Sequence, residues 1–401
     1  MLSILVGLVM GCVGAAFLRS LDWATQLRET NLWPVFLLPL AGAVIALLYK
    51  TAGVEKDRGA NFVLVAVREA DLPPLRIAPL IFICTVLTHL VGGSSGREGA
   101  ALQLGGSIAA GFERILKLDA KDGRVITMCG MAAGFSALFG TPLTAAIFSI
   151  EVISVGVMYY AALLPCVFAS LISVQVAGFL GTTPTAFVLE QVPELSPLTM
   201  AQAAGIGLLC ALLAVIFCRL MHLSPKLYQR LFPNPILRAA AGGGLVLLLT
   251  FVVQLWNPGT YDYNGAGGAI LTAAIGGQAR PEAFLLKILF TMLTLGAGFK
   301  GGEIVPVFFT GATFGCVIAP LLGLPASFGA GLGMVSLFCG VTNCPLTSLM
   351  LAYEVFGGVN LSLFAAGCAA AYLLSGYESL FQAQKILYSK YRPDFINRQA
   401  D

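Results

Sequence analysis

The chain has 401 residues, of which 58% are hydrophobic and 11% charged, with a formal net charge of +3. A soluble domain carries about a quarter charged residues. The small positive balance, with no basic patch interleaved with aromatics, argues against a nucleic-acid partner. Largely apolar runs at residues 2–18, 75–91, 161–180, 200–221 and 356–374 are long enough to cross a bilayer, so the composition predicts an all-α, multi-pass membrane protein.

In chain order, MLSILVGLVMGCVGAAFL opens without a basic leader and is expected to be a retained first helix rather than a cleaved signal. The polar RSLDWATQLRETN that follows reads as a surface loop. A second span at 34–49 leads to a polar segment at 51–59, then to Ala60, Asn61 and Phe62, and to the amphipathic VLVAVREADLPP, which Pro73 and Pro74 end. The span at 75–91 delivers the chain to GGSSGREGAALQLGGSIAAGF at 92–112. Here Arg97 and Glu98 stand in a Gly/Ser-rich break, and the residues after Glu98 are expected to wind as a helix. A charged loop, ERILKLDAKDGR, precedes residues 130–139 and the run TPLTAAIFSIEVISVG.

Irregular backbone within a membrane is tolerated only where protein or water surrounds it, and an ionisable residue there marks a functional site. A carboxylate at a helix start is a tethered anion, stabilised by the same free N–H groups that would hold a free one. Substrate and side chain then compete for one place, and protonation of Glu98 removes its claim. Anion movement and proton uptake become parts of one cycle. The alternative for Glu98 is a helix cap or an ion pair with Arg97.

The second half repeats these features. Pro142 and Pro345 are 203 positions apart, as are Glu151 and Glu354 in the blocks PLTAAIFSIEV and PLTSLMLAYEV. Glu98 and Glu303, the latter in AGFKGGEIVPVFFTGATFGC, are 205 apart, and Gly59 and Gly265 are 206 apart. Three blocks in one order at near-constant offset indicate a duplication, with halves 1–198 and 199–401 in a single transmembrane domain. Interrupted apolar segments at matching places of two halves point to a binding site near the midplane. Glu303 is expected to move protons or bond a hydrated anion, or else to cap its helix beside Lys300. Glu151 and Glu354 are expected to share a structural task, such as bonding backbone donors at a neighbouring helix end.

Loop charge suggests an orientation. The linker GTTPTAFVLEQVPELSP has two acids and no base, whereas the connection after Met221 carries Lys226, Arg230 and Arg238, and the tail carries Lys385, Lys390, Arg392 and Arg398. The basic segments are expected in the cytoplasm. No cytoplasmic regulatory domain is expected after the last span. Ten cysteines lie in or beside apolar segments and form no CxxC pair, so they read as packing residues. His89 and His222 are too isolated for a metal site and read as packed or interfacial side chains. With no nucleotide loop or catalytic triad, the chain is not expected to be an enzyme or to need a cofactor.

GREGA at 96–100, GGEIVP at 301–306, the two PLT…EV blocks and the duplication resemble the CLC family of anion channels and proton-coupled anion exchangers, over essentially the whole chain. The resemblance implies an inverted-repeat fold with re-entrant, broken helices, a homodimer in the membrane lipid with one pore per subunit, and Glu98 as the gating glutamate. The chain looks as if it starts at the family's first full span, without its cytoplasmic N-terminal helix.

Within the family it is most similar to the fluoride-exporting branch, through the GGE opening near Glu303, the SSGREG context and the single-glutamate EV block. Chloride members have Ser, Phe and Tyr where this chain has Ala60, Ile304 and Phe381, and the chloride/proton exchangers have a second glutamate where it has Val152. A typical fluoride exporter has Thr near Val305 and Tyr at Phe381, so both positions depart from the pattern. The candidate anion-binding residues are Ala60, Asn61, Gly96, Arg97, Gly99, Gly302, Ile304, Val305 and Phe381, with Glu98 and Glu303 for gating and protons. Asn61 also reads as a turn residue. Fluoride export from a bacterial inner membrane is the first expectation, chloride or another anion the second, and a non-transporting scaffold the third.

Overall fold

The computed structural model describes residues 1–54, 59–69, 73–257 and 261–401. In the first half the helices are α1 (Leu2–Thr30), α2 (Leu38–Thr51), α3 (Ala60–Glu69), α4 (Ile77–Leu90), α5 (Glu98–Leu116), α6 (Ala120–Phe139), α7 (Pro142–Glu151) and α8 (Leu163–Phe179). The second half contributes α9 (Pro197–Leu231), α10 (Pro235–Trp256), α11 (Gly268–Ile275), α12 (Ala283–Gly296), α13 (Ile304–Ile318), α14 (Ala326–Thr342), α15 (Pro345–Phe356) and α16 (Leu361–Leu374). The fold is a helical membrane fold of two inverted repeats. Among the described residues six helical segments are long and apolar enough to span a bilayer, α1, α9 and α10 among them.

Local chemistry sets the boundaries. Asp119 caps α6 by accepting from the amides of Lys121 and Asp122, and Ser196 and Thr199 form a reciprocal capping box at the start of α9. Matched helix pairs pack through small residues. A Cβ on Gly105 would lie 2.0 Å from the Gly130 carbonyl oxygen between α5 and α6, and one on Gly315 would lie 2.0 Å from the Gly329 carbonyl oxygen between α13 and α14. With no hydrophobic drive between helices in lipid, such backbone approach is what holds them together.

Several expectations are corrected. Residues 19–30, read as a loop, continue α1. Asp22, Arg28 and Glu29 on its later turns line a cavity, so polarity does not end the helix there. The segment read as one charged loop at 113–124 is the end of α5, a short turn and the start of α6. Lys226 and Arg230 lie on α9, which runs through Pro225. The apolar run at 356–374 is broken after Phe356 by Gly357 and Gly358. Of the polar segment at 51–59, residues 55–58 lie outside the described residues, as do residues 70–72 ahead of Pro73.

A small sheet was also not expected. Strand β1 (Ser154–Val155) pairs parallel with β2 (Lys385–Tyr388), which pairs antiparallel with β3 (Phe395–Gln399). It ties the C-terminal tail to the end of the first half's EV block.

Candidate functional site

The first break is anchored by the other half of the molecule. The Gly93 amide donates to the Thr88 carbonyl at 2.8 Å, the Ser94 amide donates to Thr294 Oγ1 at 3.0 Å, and the Ser94 hydroxyl lies 2.9 Å from Thr291 Oγ1. Both of the latter threonines are on α12. The two breaks then meet. Gly96 and Gly302 exchange a pair of backbone hydrogen bonds, 2.6 Å from the Gly96 amide and 2.7 Å from the Gly302 amide.

This bridge admits no side chain. A Cβ on Gly96 would lie 2.9 Å from the Val305 Cβ, and one on Gly302 would lie 2.5 Å from the Gly99 nitrogen. Glycine is needed because two helix starts approach to backbone contact.

The bridge sets both glutamates. Glu98 is fully buried at the first position of α5. Its carboxylate accepts from the Arg97 amide at 3.2 Å, from Arg97 Nε at 3.4 Å and from its own amide. It therefore lies on the free N–H groups of a helix start. The helix-start placement and the Arg97 ion pair, weighed as alternatives in the sequence, occur together. Arg97 also lies 4.0 Å from Asp22.

Glu303 stands at the N-cap position of α13 without a side-chain cap bond to the helix, its carboxylate turned to its own amide, and its Oε2 lies 3.7 Å from where a Cβ on Gly99 would stand. The second carboxylate is thus packed against the residue that follows the first. Lys300, the partner weighed for Glu303, places its ammonium 4.1 Å from the centre of the Tyr49 ring. Beside this bridge the buried Ser95 hydroxyl has no hydrogen-bond partner among the described residues.

Glu98 and Arg97 line a cavity of 720 Å³ together with Val305, Phe308, Arg28 and His89. The structure gathers Gly96, Arg97, Glu98, Gly99, Gly302, Glu303 and Val305 around the bridge. Ile304 turns into the apolar core.

Ala60, Asn61 and Phe381 gather at a second place, where α3 meets the tail. Asn61 Oδ1 accepts from the Ala383 amide at 2.9 Å, so its carbonyl fixes the segment that carries Phe381. Phe381 is buried, its ring 6.1 Å from that of Phe148. From Phe148 a file of rings continues through Phe338 and Phe308 to Phe139, with spacings of 5.9, 5.3 and 5.5 Å, and the last two line the cavity beside Glu98.

Other residues of this region were missed in the sequence. Lys287 is fully buried on α12, donating to the carbonyls of Gly265 at 2.7 Å and Tyr263 at 3.3 Å, with the Phe309 ring 5.1 Å away. A lone lysine in AFLLKILFTMLTLG was the available signal. Arg28 is buried and packs over Gly265. Its signal was hidden by reading its helix as a loop. His89 lines the cavity as well as packing beneath the break.

This arrangement of two facing helix starts, each with a glycine and a glutamate, the first fully buried and the second partly buried, defines an anion-transport membrane protein. The family model described as voltage gated chloride channel matches residues 41–376, and the chain belongs to that family, the CLC family. It is 38% identical over 394 residues to a chloride/fluoride channel protein of Pseudomonas syringae, covering 96% of this chain and 86% of that one. It is 25% identical over 418 residues to the H(+)/Cl(-) exchange transporter ClcA of Yersinia pestis, covering 97% and 86%. Among solved structures it resembles a CLC-type fluoride/proton antiporter, with a TM-score of 0.90, 34% identity and 96% of each chain covered. A slow cyanobacterial Cl-/H+ antiporter shares the fold, with a TM-score of 0.76 at 19% identity and 93% of each chain covered.

Proposed function

We infer that this protein is a proton-coupled fluoride antiporter of a bacterial inner membrane, exporting F⁻ from the cytoplasm as a homodimer, with Glu98 as gate and proton acceptor. The observation that carries this reading is the Glu98 carboxylate, buried and held on the amides at the start of α5. Ionised, it fills the place of an anion. When a carboxylate oxygen takes up a proton, its attraction to the helix start falls and a fluoride ion takes over those amides.

A small anion holds its water tightly, so close donors must replace that water. The amides of Arg97 and Glu98, released when the protonated side chain leaves, and those opening α13 at Ile304 and Val305, with the Ser95 hydroxyl, are the donors of the right kind. Glu303, beside Gly99, is placed to bond a hydrated ion or pass a proton. The similarity to fluoride-handling relatives supports the same substrate.

A second reading, chloride or another anion, is favoured by one observation. Val305 and Phe381 offer no hydroxyl, which suits a less tightly hydrated ion. Efflux from liposomes carrying the purified protein decides between them. Fluoride efflux that drives proton uptake, and that is lost in Glu98→Gln, supports export of fluoride. Chloride flux of equal or greater size supports the second reading, and no flux of either ion refutes both.

A further inference from the structure

A second cavity lies on the other side of the second break, between α2, α9 and α10. It measures 260 Å³ and is lined by Lys50 at the end of α2, Arg238 in the first turn of α10 and Lys300 two residues before Gly302. No carboxylate among the described residues lines it. Neither Lys50 nor Arg238 has an acidic partner among the described residues. Lys50 and Arg238, brought to one cavity without an acid beside them among the described residues, repel each other unless an anion joins them.

The surroundings of the cavity select the anion. The two helices that frame it expose Leu40 and Leu47 from α2 and Leu237 and Leu248 from α10, so an apolar surface suited to acyl chains flanks the charges. Lys226 and Arg230 follow on α9 at the same end of the molecule, the end that loop charge assigns to the cytoplasm. Basic pockets between helices on that side suit the headgroups of anionic lipids.

We propose that this cavity binds the phosphate of an anionic phospholipid headgroup from the cytoplasmic leaflet. Its wall includes residues 296–300, the stretch that leads to Gly302 and Glu303. A bound headgroup therefore braces the second break from behind. The proposal rests on the orientation given by the loops and not on which anion is transported.

The test uses the full-length protein in a neutral detergent, with the thermal unfolding midpoint as readout. It is titrated with short-chain phosphatidylglycerol, short-chain phosphatidylcholine and inorganic phosphate. Phosphatidylglycerol is expected to raise the midpoint saturably, and the other two to leave it unchanged at the same concentrations. The double variant Lys50→Gln/Arg238→Gln is expected to bind phosphatidylglycerol about thirtyfold more weakly, at about 1 kcal/mol for each basic group.

Lys226→Gln, outside the cavity, is expected to bind as the wild type does. Should the double variant not fold, Lys50→Gln alone, at an exposed helix end, is expected to weaken binding about fivefold. An equal shift in the variants, an equal loss in Lys226→Gln, no shift in the wild type, or a phosphate-induced shift of the same size would each overturn the lipid assignment. None of these outcomes depends on fluoride flux.

Discussion

Glu151 and Glu354 each cap a helix in the other half of the molecule. Glu151 accepts from the amides of Leu346 and Thr347 at 3.1 and 2.8 Å and from the Thr347 hydroxyl. Glu354 accepts from the amides of Leu143 and Thr144 at 2.9 and 2.8 Å and from the Thr144 hydroxyl. The helices concerned, α15 and α7, both begin with proline, which has no N–H to offer. Each carboxylate therefore serves the next two amides, the ones that otherwise lack a partner. This is the shared structural task that the matched EV blocks lead one to expect.

Removing either carboxylate takes the acceptor from two helix-start amides and a threonine hydroxyl, of which the threonine groups are buried. Glu151→Ala is expected to cost about 3 kcal/mol, on the scale of lost charge-assisted hydrogen bonds and the desolvation of their donors. Glu354→Ala is expected to cost less, because Glu354 is half-buried while Glu151 is buried. Thermal unfolding in detergent measures both. Equal midpoints for the two variants and the wild type would show that the caps hold nothing.

The glycine bridge makes a prediction that separates side-chain from backbone obstruction. Gly96→Ala and Gly302→Ala are both expected to abolish ion flux. In Gly96→Ala the new methyl meets the Val305 Cβ and Cγ2 as well as its nitrogen, so adding Val305→Gly, which removes both carbons, is expected to restore part of the flux. In Gly302→Ala the obstacle is the Gly99 backbone, and no such rescue is expected. Flux assays on the two double variants in liposomes check the difference.

Selectivity is expected to respond to two apolar positions. Val305 lines the cavity beside Glu98, and Phe381 begins the file of rings that leads to it. Val305→Thr and Phe381→Tyr each add one hydroxyl donor for an ion that has shed water. A site that hydrogen-bonds an ion discriminates more strongly than one that only fits it. The fluoride-to-chloride flux ratio is expected to rise several-fold in each variant. A fall in both would favour the chloride reading.

The tail carries a pH dependence of defined sign. Lys390 donates to Tyr372 O at 2.9 Å and to Asn343 and Ser375, with its ammonium 4.4 Å from the centre of the Tyr372 ring. Burial lowers its pKa to about 8, against an ordinary value of about 10.4. Between those values the undocked tail binds more protons than the docked one, so docking strengthens as pH rises through this window. Below pH 8 the lysine is charged in both states and the full desolvation cost remains. Protease protection of the tail is expected to increase several-fold from pH 7 to pH 10 in the wild type. No such increase is expected in Lys390→Met assayed under the same conditions.

The duplication made much of the site legible, because Glu98, Glu303 and their glycines recur at a fixed interval and mark matched breaks in apolar runs. What stayed hidden depended on contacts between distant segments. The reach of α1 through Asp22 and Arg28 was missed because hydropathy registers apolar length and not a cavity lined by charged side chains. The short strands β1 to β3 have too few residues to show a two-residue period. Lys287 was visible as an oddity in its apolar run, yet its partners, the carbonyls of Tyr263 and Gly265, belong to a turn that no local pattern links to it.

The mutual pair of bonds between Gly96 and Gly302 bears on how the protein can move at all. Many carriers open to one side and then the other by swinging one repeat against its mate. Here that swing would have to tear a rivet driven through the centre of the machine. A bridge that holds through the whole cycle leaves the ion's path to be opened and shut by small parts turning about a fixed hub, which is what the proposed stroke of a single carboxyl arm, rather than a hinge between lobes, requires.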